Sequence, residues 1–200
     1  MAEKRLHRRA ALKTLLAGRS DWLIVSGLGS PSWDLFSLGD RPDNFYLWGG
    51  MGAAAVTGLG LALAQPKRRV VVVTGDGEML MGMGSLATIA LARPANLAVV
   101  VLDNELYGET GQQKTHTGGP TQLAAVARAA GFPTAMDAVT EADLAALAAA
   151  IATGAGPVFG NVKVQADPGP TAYPPRDGQY LKTRFRVALL GEAGAQKVYQ

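Results

Sequence analysis

Two apolar runs, 70–74 (Val-Val-Val-Val-Thr) and 97–102 (Leu-Ala-Val-Val-Val-Leu), constrain this chain more than any other feature. Neither alternates polar with apolar residues, so each reads as a strand covered on both faces, as in a parallel sheet flanked by helices. Residues 83–92 between them follow helical spacing, and Pro94 ends the helix because proline restricts the residue before it. The three pieces make one βαβ unit, and the remaining chain must extend the same layered scheme.

The rest of the pattern agrees. A helix is expected over 6–17, stopping near Gly18, then a strand over 22–26 and a loop rich in Gly, Pro and Ser. Residues 49–60 are dense in glycine but lead into Leu61, Ala62, Leu63 and Ala64 before Pro66, so a closely packed helix is read from about Met51. Further on come a helix over 121–130, a short strand at 133–136, a helix over 141–153 capped by Thr140, and a strand over 158–164. The expected fold is α/β, three layers (α/β/α) with a mostly parallel central sheet. Residues 1–200 are read as one domain, with 167–200 as a C-terminal arm that begins in a proline-rich loop and has helical potential at 181–190.

Composition narrows the function classes. Nineteen Lys and Arg against sixteen Asp and Glu leave a net charge of only +3, with the basic residues scattered, which gives nucleic-acid binding little support. The one N-terminal cluster, Lys4, Arg5, His7, Arg8 and Arg9, reads as the solvated face of the first helix. There are no cysteines, so disulfides, thiolate metal sites and iron–sulfur clusters are excluded, and a reducing cytoplasm fits. No signal-peptide pattern opens the chain, and no segment reaches the roughly 18 apolar residues of a membrane span.

The chemistry concentrates at Gly75-Asp76-Gly77 and Asp103-Asn104, separated by residues 78–102. Both lie just past the C-terminal ends of the two expected strands, where open α/β sheets bind ligands. The glycines let backbone amides approach an anion, while the Asp76 carboxylate and the Asn104 amide oxygen are hard ligands suited to Mg²⁺. Two diphosphate oxygens would complete such a coordination shell. A Gly-Asp-Gly alone also makes ordinary turns; its pairing with Asp-Asn across one crossover is the informative part.

That pairing resembles the cofactor motif of thiamine diphosphate (ThDP) enzymes, a GDG followed by an Asn pair. The runs GDGEMLMGMGSLATIA and VLDNELYGETGQQKTHT, with GDRPDNFYLWGGMG upstream, are similar to sulfopyruvate and phosphonopyruvate decarboxylases over about 26–117, in their cofactor-binding domain or the small subunit of split versions. The resemblance implies Mg²⁺ held by Asp76, Asn104 and the Leu106 carbonyl. Gly75, Gly77, Glu78 and Tyr107 would lie beside the diphosphate. Glu78 is the awkward member, since a carboxylate there repels the cofactor unless it turns outward or is bridged by the cation. Asp103 departs from the usual Asn at a position that is not a metal ligand. Gly49, Gly50 and Met51 match the segment that grips the aminopyrimidine, the Gly49 carbonyl accepting from its amino group and Met51 acting as the wedge that bends the cofactor.

The same resemblance implies a small anionic 2-oxo acid as substrate, cleaved to an aldehyde and CO₂. It also implies a partner, because the glutamate that activates the pyrimidine ring belongs to a separate pyrimidine-binding domain for which this chain has no room. A hetero-oligomer such as a dimer of heterodimers follows. Gln113, Lys114 and His116, in the loop after the metal ligands, are the candidate catalytic residues, with His116 the natural acid/base. An exposed loop with an ordinary histidine is the plainer alternative. The missing cysteines argue against a ferredoxin-coupled oxidoreductase subunit. A carboligase, an aldehyde-oxidising enzyme or a ThDP-binding regulatory subunit stay open, since the cofactor motif is indifferent to the fate of the product.

Overall fold

The computed structural model describes residues 5–166 and 169–197. Its frame is a six-stranded parallel sheet in the order β2-β1-β3-β4-β8-β7, formed by β1 (Leu23–Ser26), β2 (Asn44–Tyr46), β3 (Val70–Gly75), β4 (Leu97–Asp103), β7 (Thr134–Ala138) and β8 (Val158–Lys163). A two-stranded hairpin, β5 (Leu106–Tyr107) with β6 (Gln113–Lys114), stands apart from it.

The uniform apolarity of β3 and β4 has the expected cause. Val71 and Val73 with Ala98, Val100 and Leu102 enter one core, while Val70 and Val72 with Leu97, Val99 and Val101 enter the other. The first core is closed by α1 (Arg8–Leu15), α2 (Ser30–Ser37) and α7 (Glu141–Thr153). The second is closed by α3 (Ala54–Ala64), α4 (Asp76–Met81), α5 (Ser85–Ala92) and α6 (Leu123–Ala130). In α1 the buried positions Arg8, Ala11, Leu12 and Leu15 recur at helical spacing, which fixes the face it presents to the sheet. Thr140 caps α7 as expected: its hydroxyl accepts from the Asp143 amide, and the Asp143 carboxylate accepts from the Thr140 amide, a reciprocal capping box.

Three expectations need correction. The loop read after β1 contains α2 and β2; Pro31 sits in the first turn of α2, where a missing N–H costs nothing. The single helix read at 83–92 is preceded by α4, and the break between α4 and α5 falls at Gly82, where a Cβ would lie 2.2 Å from the Gly52 carbonyl oxygen. Two backbones meet there, and only glycine permits it. The N-terminal cluster is a solvated face only at His7; its arginines are ion-paired. Arg8 is buried and donates to Asp34 at 2.5 Å, Arg9 reaches the same carboxylate at 3.2 Å, and Arg5 pairs with Glu105 at 2.6 Å, while Lys4 lies outside the described residues.

Asp167 and Pro168, at the start of the expected arm, lie outside the described residues. Beyond them α8 (Gly178–Gln196), kinked at Gly191, returns to the β2 edge. It is anchored there by buried Leu181, by Phe185 against Phe45 at 5.2 Å, and by Arg184 paired with Asp40 at 2.5 Å. Among the described residues no helix is long and apolar enough to cross a membrane.

Candidate cofactor site

The C-terminal ends of β1, β3 and β4 are neighbours in the sheet, so the loops that leave them converge on one place. There they enclose a cavity of about 300 Å³. Its wall includes Met51, Gly75, Asp76, Gly77, Glu78, Asn104, Leu106 and Tyr107, eight of the positions singled out from sequence. It also includes Leu28, Gly29, Ser30 and Pro31 from the loop after β1, and Glu109 with Thr110 beyond the hairpin strand. Glu109 and Thr110 fall in the loop marked from sequence, but sequence reasoning passed over the four residues after β1, although Gly29 and Ser30 also follow a strand and open a helix, and so carry a weak form of the same signal.

Asp76 opens α4 directly from the end of β3, with Gly75 as its N-cap. Its carboxylate is 2% exposed and accepts from the Thr115 hydroxyl at 2.5 Å. Burial pushes its pKa up to about 6, and the charge of nearby Asp103 adds to the rise. Asp103, at the end of β4, is equally buried but fully served. It accepts from Thr117 at 2.7 Å, from the Glu105 amide at 3.1 Å and from Asn161 at 3.1 Å, and it pairs with Lys163 at 2.8 Å. Each threonine hydroxyl has one proton, so Thr115 serves Asp76 while Thr117 serves Asp103.

Asn104 makes an Asx turn, its side-chain oxygen accepting from the Leu106 amide at 3.1 Å. Glu105 between them has φ 63°, an uncommon conformation for a residue with a side chain. Its carboxylate is pinned by Arg5 at 2.6 Å and by Lys163 at 3.0 Å, which holds this turn in place. Asp76, Asn104 and Leu106 all line the cavity, and a carboxylate, an amide oxygen and a backbone carbonyl are donors of the all-oxygen kind that Mg²⁺ takes. Among the described residues there is no group of three or more His, Cys, Asp or Glu side chains able to hold a metal.

Glu78 lines the cavity, but its carboxylate is engaged by the chain itself. Its carboxylate accepts from the Thr74 hydroxyl at 2.8 Å, the Leu28 amide at 3.1 Å and the Ala54 amide at 3.2 Å. It thereby ties the loop after β1 and the start of α3 to β3. A Cβ on Gly27 would fall 1.6 Å from its Oε2, so the glycine at 27 is the space this carboxylate occupies. Burial raises the Glu78 pKa, against the pull of these hydrogen bonds.

Gly77 has a comparable role. A Cβ there would lie 2.6 Å from the Tyr107 ring and 3.5 Å from the Met51 methyl, so both side chains close over its backbone. Met51 itself is 36% exposed at the cavity mouth. Gly49 and Gly50 are exposed and off the cavity wall, with Gly50 at φ 71°. Gln113, Lys114 and His116 are also exposed: the first two form the outer strand of the hairpin and His116 begins a short 3-10 turn, so none of the three lines the cavity.

Comparison with known proteins agrees with this geometry. Residues 34–162 match the family model for the thiamine pyrophosphate enzyme C-terminal TPP binding domain. The chain is 42% identical over 186 residues to sulfopyruvate decarboxylase subunit beta of Methanothermobacter thermautotrophicus, covering 93% of this chain and 97% of that one. It is 48% identical over 112 residues to the subunit of the same name in Methanocaldococcus jannaschii, covering 56% of this chain and 59% of that one. With phosphonopyruvate decarboxylase of Streptomyces viridochromogenes it shares 47% identity over 148 residues, which is 73% of this chain but only 37% of that enzyme. Among solved structures, the thiamine diphosphate-dependent 4-hydroxybenzoylformate decarboxylase of Rhodococcus jostii RHA1 superposes with a TM-score of 0.66 at 19% identity, covering 84% of this chain and 34% of that one; at that identity the likeness concerns the fold.

Proposed function

We propose that this chain, which belongs to the thiamine pyrophosphate enzyme family through its TPP binding domain, is the cofactor-anchoring subunit of a two-chain decarboxylase acting on a small anionic 2-oxo acid. The observation that carries the proposal is the electrostatic state of Asp76. Of the buried aspartates Asp34, Asp76 and Asp103, two are ion-paired within the chain, with Arg8 and Lys163; Asp76, on the cavity wall, has no cationic partner among the described residues. A buried carboxylate without a cation is costly, and a divalent ion at the cavity would neutralise it.

On this reading Asp76, Asn104 and the Leu106 carbonyl hold Mg²⁺, and Gly75 and Gly77 bring backbone amides close to the diphosphate. When bound, ThDP supplies an electron sink for the bond that breaks as CO₂ leaves. The chain's own work is orientation and exclusion of water: Tyr107 closes over Gly77, Met51 would act as the wedge that bends the cofactor, and the Gly49 carbonyl, outside the cavity wall of this chain, would receive the amino group of a pyrimidine lying toward the partner. Glu78 acts as a buried brace of the cavity wall rather than as a ligand.

The pyrimidine-activating glutamate is assigned to a partner subunit. Glu78 is spent on backbone amides, and Glu109 lines the same cavity as Asp76, close to the diphosphate motif, which supports looking elsewhere for it. Met51 on the cavity wall and Met81 (64% exposed), which lies against Gly52, give exposed apolar surface that suits such a partner. Gln113, Lys114 and His116 take part in catalysis only if that partner folds against the hairpin, and His116 would then be the acid/base group. The assembly is a hetero-oligomer such as a dimer of heterodimers, and the absence of cysteine fits a cytoplasmic setting.

The test is to recover the chain with its partner from native cells in ThDP and Mg²⁺, identify the partner by mass spectrometry, and follow 2-oxo acid consumption. A stoichiometric partner, Mg²⁺-dependent ThDP binding and release of CO₂ from sulfopyruvate or phosphonopyruvate are the expected results. A complex that binds ThDP but consumes no oxo acid would overturn the decarboxylase assignment.

A further inference from the structure

The cofactor cavity shares a wall, formed by Leu28, Gly108 and Glu109, with a second cavity of about 650 Å³. The far side of that second cavity is aromatic. Trp33, Trp48 and Tyr173 line it, together with Arg176 from the C-terminal arm. The Arg176 guanidinium lies 4.7 Å from the Tyr173 ring centre and 5.0 Å from that of Trp48, clamped by cation–π contacts. The clamp is itself fixed: Trp48 donates to the Pro175 carbonyl at 2.6 Å, and Tyr173 meets Trp33 edge to face at 5.4 Å.

Aromatic contacts use the faces of a guanidinium and leave its N–H edge available, which is the edge that binds an oxyanion in a two-pronged fashion. Arg8 and Arg176 are the cationic side chains lining these two cavities, and Arg8 is committed to Asp34. Arg176 forms no ion pair among the described residues. The adjacent Asp177 is occupied in capping α8, accepting from Gln179 and Tyr180 at 2.9 and 3.0 Å. Glu109 is the opposing charge at the shared wall, so attraction of an anion into the second cavity falls to Arg176.

We propose that Arg176 is a specificity-determining residue that receives the second anionic group of the substrate, a sulfonate or phosphonate, in the aromatic cavity next to the cofactor cavity. This rests on the decarboxylase reading given above. It assigns substrate choice to an exposed arm that the family model match, ending at residue 162, does not reach. The oxo acid would then span the shared wall, with its reacting end toward the cofactor cavity and its second anion toward Arg176.

The experiment compares the parent complex with Arg176→Ala and Arg176→Lys complexes, each assembled with the partner subunit, using sulfopyruvate, phosphonopyruvate and pyruvate, which lacks the second anion. Expected is a KM for the two dianions that rises at least about 10-fold more in Arg176→Ala than the KM for pyruvate does, on the order of a lost charge-assisted contact. Arg176→Lys should recover only part of this, since it keeps the charge but not the fork or the stacking. The dianion that suffers more identifies the natural group. Equal changes for all three substrates, or none, would refute the proposal. If the parent complex binds ThDP yet consumes none of the three acids, the decarboxylase reading fails by itself. Calorimetric titration with sulfoacetate, an unreactive dianion, then decides the Arg176 site: binding lost in Arg176→Ala supports it, and binding equal to the parent's or absent from both sinks it.

Discussion

The carboxylates of Asp76 and Asp103 are both buried at adjacent strand ends and linked through the hydroxyls of Thr115 and Thr117, yet only Asp103 has a cation of its own, Lys163 at 2.8 Å. The asymmetry fits the proposed division of the pair into a ligand and a support. Asp103 stiffens the turn that presents Asn104, while Asp76 faces the cavity without a cation among the described residues.

Replacing Asp76 by Ala or Asn should therefore reduce Mg²⁺-dependent ThDP affinity by more than about 100-fold, beyond what loss of a supporting contact costs. The ligand-free chain should be at least as thermostable as the parent, because an unpaired buried carboxylate is removed. Calorimetric titration and thermal melts read both quantities. Retained affinity would remove Asp76 from the metal site.

Lys163 offers the converse case. Lys163→Ala leaves Asp103 buried without its cation, and because Lys163 is 23% exposed the cost should be about 2 kcal/mol, below that of breaking a fully buried pair. Adding Asp103→Asn to that variant should recover most of the loss. Denaturant unfolding of the two single variants and the double variant measures the coupling; additive losses would mean that the pair contributes nothing specific.

Gly77→Ala puts a methyl 2.6 Å from the Tyr107 ring, so the ring must move or α4 must shift. A destabilisation of about 1–3 kcal/mol, typical of overpacking, is expected along with weaker ThDP binding. Met51→Ala contrasts with it. Met51 is 36% exposed, so stability should change by no more than about 0.5 kcal/mol, and diphosphate binding should persist while turnover slows. A Met51→Ala complex with parental turnover would rule out the wedge.

The capping box of α7 makes a pH prediction away from the site. Thr140 lowers the Asp143 pKa below the ordinary aspartate value through its side-chain and backbone hydrogen bonds. A depressed folded-state pKa means that the contribution is present above the unfolded value and fades as pH falls through the folded one. Thr140→Ala should cost about 1 kcal/mol at neutral pH. The gap between the variant's and the parent's thermal midpoints should narrow as the solution is acidified below the ordinary aspartate range. A constant gap would show that the carboxylate half of the box is idle.

What the sequence by itself determined is the part of this protein written in local pattern. Strands β3 and β4 are legible because burial on both faces demands uninterrupted apolar residues, and Thr140 is legible because a cap acts within four residues of itself. Asp76 and Asn104 are legible for the same reason: each directly follows its strand, and adjacent parallel strands bring their ends together. Tertiary structure decided whatever depends on partners far along the chain. Arg8 reads as a solvated basic residue until Asp34 is placed beside it. Glu78 reads as a threat to the cofactor until the Leu28 and Ala54 amides are seen to claim it. The hairpin that turns Gln113 and Lys114 outward, and the arm that brings Arg176 onto Trp48, are equally out of reach of local pattern. Periodicity and spacing record which face of an element is buried. The long-range charge and backbone partners that meet there are set only when the layers close.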